Sequence, residues 1–168
     1  MTFIKQVLPR KLLTASIAGS LFAILLGLLA PGSFGNEINS IKEYIWAFTL
    51  TVPFYLMYSF PVILVYGTVT SIISDFLSGF MTKKSKIQLE PYLSAVLHIL
   101  FGLVLQWVSL GAAILFFVTD RILRKKKNQY KWSQALKGLF IPLLVWILFM
   151  GIIWIVDFFK DGADFIVY

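Results

Sequence analysis

The chain has no cysteine and a single histidine, His98. Without thiols there is no disulfide framework and no thiolate chemistry, and one imidazole excludes any zinc site that needs two. Acids are scarce as well: eight aspartates and glutamates face 15 lysines and arginines, a formal charge of +7. What fills the 168 residues is apolar, with 59% hydrophobic and 17% aromatic side chains and a mean hydropathy of +0.85. That is far more apolar than a soluble domain. In hydrocarbon a backbone must satisfy its own hydrogen bonds, so the composition predicts an all-α integral membrane protein, one membrane domain over the whole chain. The basic residues sit in three clusters between apolar runs. They read as topology signals held to anionic lipid headgroups and not as a nucleic-acid surface.

Four apolar segments, 12–30, 44–80, 92–118 and 139–159, predict a bundle of four transmembrane segments, or five crossings if the second divides. Lys5, Arg10 and Lys11 precede the first segment in the charge order of a signal peptide. A run of about twenty residues, followed at once by Pro31, predicts an uncleaved span instead. Ala15, Gly19, Ala23 and Gly27 recur every four residues, a small face that lets a neighbouring backbone approach, although such residues are also common in membrane helices generally. Pro31-Gly32-Ser33 breaks the helix, and the loop to Glu43 is poor in positive charge. It belongs outside, with the amino terminus in the cytoplasm.

The segment 44–80 is long. As one helix it would run about 55 Å against a hydrocarbon core of about 30 Å. Either it is a single tilted span of roughly 51–74 kinked at Pro53 and Pro61, or it is two short spans meeting near Tyr58–Pro61. Tyr44 and Trp46 fall in the outer aromatic belt under both readings. Charge counting bears on the choice. Four simple spans put 7 lysines and arginines inside and 8 outside, whereas five crossings put 10 inside and 5 outside. A re-entrant third segment would place 13 inside, yet its roughly 28 residues are too few for two full crossings. Four apolar segments therefore remain the working description, with the side of the later loops open.

Asp75 is an ionisable group inside an apolar segment, which marks a functional hypothesis if a partner exists. Treating the second and third segments as an antiparallel pair places His98 opposite Asp75 and Gly102 opposite Ser71. Thr68, Ser71, Asp75 and Ser78 share one helix face, and Ser94, His98, Gly102 and Gln106 share another. The expectation is a buried polar seam in which Asp75 and His98 pair, lining a proton or cation path or a polar pocket. The plainer alternative has Asp75 near the interface meeting Lys83 or water, while His98 bonds a helix backbone. Ser71, His98 and Asp75 supply the residue types of a catalytic triad, but no nucleophile elbow surrounds the serine and no metal-ligand set exists, so no catalysis is expected. No cofactor is implied either. Arg121, Arg124, Lys125, Lys126, Lys127 and Lys131 form the most basic stretch, read as a headgroup contact, with Asp120 and Arg124 spaced to pair along a helix.

Three passages, Pro61-Val62-Ile63-Leu64-Val65-Tyr66-Gly67 with Ser71 and Ser74-Asp75, Leu97-His98-Ile99-Leu100-Phe101-Gly102, and Phe116-Phe117-Val118-Thr119-Asp120-Arg121, resemble small, uncharacterised multi-pass membrane proteins of Gram-positive, spore-forming bacteria. The resemblance covers roughly residues 52–124. It implies a plasma-membrane location and carries no catalytic or binding residues with it. The functional expectation is a membrane-embedded interaction, regulatory or immunity-type protein working by helix packing, with a membrane-protein partner or a second copy of itself. The competing expectation is a small oligomeric transporter or ion-path subunit using Asp75 and His98.

Overall fold

The computed structural model describes residues 2–35, 38–82, 90–104, 107–126 and 129–164, and the described residues are helical with no strand. Helix α1 (Thr2–Leu29) has alanines and serines on its packing side, and their hydroxyls return to the backbone one turn earlier: Ser16 donates to the Leu12 carbonyl and Ser20 to that of Ser16. Such bonds let polar side chains sit in an apolar helix without an unmet donor. The expected small face is used against the next helix. A β-carbon on Gly19 would lie 2.9 Å from the Phe60 ring, and one on Gly27 would lie 2.7 Å from Val52.

A 3-10 turn, Pro31–Phe34, ends at Gly35, whose φ of +84° is left-handed and suits glycine. Ser40 then caps α2 (Ile41–Val62) through a reciprocal pair: its hydroxyl accepts from the Glu43 amide, and Glu43 accepts from the Ser40 amide. Neither Pro53 nor Pro61 stops this helix. It passes through a π-helical stretch, Ile63–Gly67, directly into α3 (Thr68–Thr82), so Ile41–Met81 is one apolar helix of 41 residues. The two-span reading of segment 44–80 is thereby replaced by one continuous element. Pro61 supplies no amide hydrogen to the turn before it, and the wider π turn follows at once. One extra residue in a turn rotates everything downstream by about 100°.

The third segment departs from expectation. In place of one crossing it forms two helices, α4 (Glu90–Val104) and α5 (Trp107–Lys126), folded back on each other. Gly102 allows the close approach: a β-carbon there would meet that of Ala113 at 2.8 Å, and the Ser109 hydroxyl donates to the Gly102 carbonyl. The apolar arm Tyr92–Leu103 is a dozen residues, about 18 Å, well short of a 30 Å core. The start of α4 and the finish of α5 therefore lie at the same end of the bundle, beside α1.

A short helix α6 (Trp132–Gly138) lies against the start of α1, Gly138 meeting Leu13, and leads into α7 (Phe140–Asp164). Helix α7 packs along α2, with Phe149 edge-on to Phe48 at 5.5 Å and Lys160 over the Trp46 ring at 4.7 Å. It also touches α1, and most of its remaining surface is exposed. The buried centre comprises Ala15, Ala18, Phe22, Ile63, Ala112 and Phe116, contributed by α1, the π stretch and α5. Val7–Leu29, Ile41–Met81 and Trp132–Lys160 are each long and apolar enough to cross a membrane. The protein is thus an all-α membrane protein, with three such helices and a hairpin among the described residues where four simple segments were expected.

Candidate functional site: a buried ion-pair network

At the end of the bundle where α1 begins and α3 and α5 finish, three cations and two carboxylates meet. Lys11 is at the centre, with no exposure. An ammonium has three hydrogens to give, and three oxygens surround this one: Asp75 Oδ2 at 2.6 Å, Ser71 Oγ at 2.7 Å and Asp120 Oδ2 at 2.8 Å. Arg10 donates through Nε to Asp120 Oδ1 at 2.9 Å, and its Nη2 lies 3.6 Å from Asp75 Oδ2. Arg121 places Nη2 3.9 Å from Asp75 Oδ1 while its guanidinium covers the Phe117 ring at 5.0 Å. Each aspartate therefore faces more than one cation. That arrangement offsets the desolvation that would defeat a lone buried carboxylate.

Helix α4 joins the network through hydroxyls. Ser94 donates to Asp75 Oδ1 at 3.2 Å. His98 stands between two serines, Nδ1 2.8 Å from the Ser94 carbonyl and Nε2 3.0 Å from Ser71 Oγ. A carbonyl only accepts, so Nδ1 carries the hydrogen, and in the neutral ring Nε2 accepts from Ser71. The order is then directional: Lys11 donates to Ser71, Ser71 to His98, and His98 to the backbone.

The expected direct pair of Asp75 and His98 is not formed. Asp75 is matched with Ser94 and with the cations of α1, while His98 is matched with Ser71, so α3 and α4 pair one helical turn away from the loop-midpoint register. Midpoint arithmetic assumes a loop that divides evenly between its helices, and a one-turn offset keeps the same faces together. Of the other seam residues, Thr68 is buried with its hydroxyl unpartnered, Gly102 packs on α5 instead of Ser71, and Gln106 lies outside the described residues. Among the basic residues, Arg121 turns into the network. Arg124, Lys125, Lys126 and Lys131 are exposed or half-exposed at the same end, and Lys127 lies outside the described residues. Asp120, expected to pair with Arg124, is engaged by Arg10 and Lys11. Among the described residues no three His, Asp or Glu side chains converge as a metal site would require.

Arg10, Lys11, Thr14 and Asp120 are the members that sequence reasoning missed. Thr14 donates to the Arg10 carbonyl and lies 3.4 Å from Asp120 Oδ1. The signal was present: Lys11 precedes Ala15, Gly19, Ala23 and Gly27 by the same four-residue step, so it shares their inward face. Asp120 likewise extends the buried series Ala112, Phe116 on α5.

Fold and network together define the class, a helical membrane protein whose bundle is tied at one end by buried ion pairs. Compared with protein families, with curated proteins and with solved structures, the chain finds no significant match.

Proposed function

We propose that this is a multi-pass protein of the cell membrane, its amino terminus cytoplasmic, that acts without catalysis as a membrane-embedded interaction or regulatory protein. Its frame is three crossing helices, and its working part is a re-entrant hairpin docked from the cytoplasmic side. The observation that carries the reading is the grip of Lys11 on both Asp75 and Asp120. It supports a docked scaffold over an ion path, because a transported cation needs a carboxylate that is free to exchange partners and both carboxylates here already hold cations of α1. Charge distribution agrees: in this arrangement only Lys42 and Lys160 of the 15 lysines and arginines lie on the outer side.

The chain lacks cysteine, so single cysteines report topology directly. Lys84→Cys and Lys125→Cys should both react with an impermeant maleimide only from the cytoplasmic side, and Asn39→Cys only from outside. Reaction of positions 84 and 125 from opposite sides would sink the re-entrant hairpin. In proteoliposomes the purified protein should add no proton, sodium or potassium flux over protein-free vesicles. A flux abolished by Asp75→Asn would overturn the scaffold reading in favour of transport.

A further inference from the structure

Beside the hairpin, along the described parts of α4 and α5, the structure holds a cavity of about 400 Å³. It lies between α1, the middle of the long α2–α3 helix and the ends of α4 and α5 that meet at the tip, with His98 and Phe116 closing it toward the ion-pair network. Its size is that of small-molecule sites, which run to several hundred Å³. Phe22, Tyr55, Tyr66, Phe101 and Phe116 give it aromatic walls, and Val62, Val108 and Tyr58, all well exposed, form its mouth toward the surroundings of the bundle.

All but one of the hydroxyls and rings with polar atoms described in this wall are already partnered. Tyr66 donates to the Phe101 carbonyl, Thr70 to that of Tyr66, Ser59 to that of Tyr55, and Tyr55 to that of Ala30. Ser109 donates to the Gly102 carbonyl, and His98 is held between Ser94 and Ser71. Among the described residues no charged side chain lines the space. Apolar cavities of this kind stay dry and take apolar guests. Tyr58 differs from the other hydroxyl-bearing wall residues: it makes no hydrogen bond to any described residue, and it sits near the middle of the 41-residue span. At that depth no water is at hand to satisfy it.

We propose that the cavity is a binding site for an uncharged lipid that enters sideways from the bilayer, its hydrocarbon chain lying against the aromatic walls and a single oxygen function accepting a hydrogen bond from Tyr58. The inference rests on the membrane placement proposed above and is separable from it, since cysteine topology tests placement without any ligand.

The full-length protein in phosphatidylcholine vesicles is photolabelled with three probes carrying a diazirine on the same long chain: an alcohol, an alkane and a carboxylate. Labelled residues are read by mass spectrometry. The alcohol should label Val62, Tyr66, Phe101 and Val108 well above the bilayer-exposed positions Leu144 and Ile155 of α7, and more strongly than the carboxylate does. Tyr58→Phe should reduce cavity labelling by the alcohol about threefold to tenfold, the effect of one hydrogen bond, and leave the alkane unchanged. Val62→Trp and Val108→Trp narrow the mouth at exposed positions and should each remove cavity labelling by all three probes. Equal labelling of the cavity and of α7 would overturn the site. A carboxylate that labels as well as the alcohol, or an alcohol indifferent to Tyr58→Phe, would overturn the assigned ligand class.

Discussion

Lys11 is the residue on which the packing of three helices converges. Replacing it with methionine keeps the stem and removes the charge, leaving Asp120 with Arg10 alone among the described cations and Asp75 with arginine nitrogens no nearer than 3.6 Å. The expected loss is about 3–5 kcal/mol, the cost of breaking a buried pair on one side, read from unfolding midpoints in a mild detergent. Lys11→Arg should also destabilise, because a planar fork cannot point three hydrogens at three oxygens set around a point. A double-mutant cycle separates the observed pairing from the expected one. Lys11→Met with Asp75→Asn should show strong coupling, whereas His98→Leu with Asp75→Asn should show coupling below about 1 kcal/mol, because only serines connect them. Comparable coupling in both cycles would contradict the serine-bridged arrangement. At this scale the sequence named the acid and the histidine and missed the cation. A lysine just before an apolar run looks like a topology signal, and only its four-residue step to Ala15 shows that it points inward.

Among the elements, the hairpin of α4 and α5 depends on the absence of a side chain at Gly102. Gly102→Val has to displace the Ala113 β-carbon and the Leu110 backbone, which a flexible side chain cannot absorb. It should cost about 1–3 kcal/mol as overpacking does. Gly151→Ala on α7 is the contrast: nothing lies within 4 Å of the new methyl, so thermal unfolding should be unchanged or shifted upward by the better helix former, by up to about 1 kcal/mol. The existence of these elements was legible from hydropathy, and the hairpin was half legible. Charge counting favoured a re-entrant third segment, while length argued against two crossings. The structure has α4 folded back on α5 with an apolar arm of a dozen residues, too short to cross, and re-entry from the cytoplasmic side is the proposal that reconciles the two. The continuity of α2 with α3 was not legible, since two prolines read as breaks and nothing in the sequence marks the π turn that accommodates the second of them.

For the molecule as a whole, the network links residues 60 and 109 positions apart to a single lysine. Synthesis takes these in order. Helix α1 emerges first with Arg10 and Lys11 still uncompensated, which in the orientation proposed above suits them to hold its start at the cytoplasmic face. Asp75 arrives with α3, and Asp120 only when most of the chain has been made. A chain truncated after Thr82 should therefore insert its first two spans correctly and yet be degraded faster than the full-length protein. Pulse-chase of the two forms measures this, and Lys11→Met should shorten the lifetime of the full-length chain toward that of the truncated one. Equal lifetimes for the truncated and full-length chains would show that the hairpin adds nothing to survival. The same lysine would thus serve two successive purposes, an orienting charge during synthesis and a buried latch that records, at the end, that the hairpin has arrived.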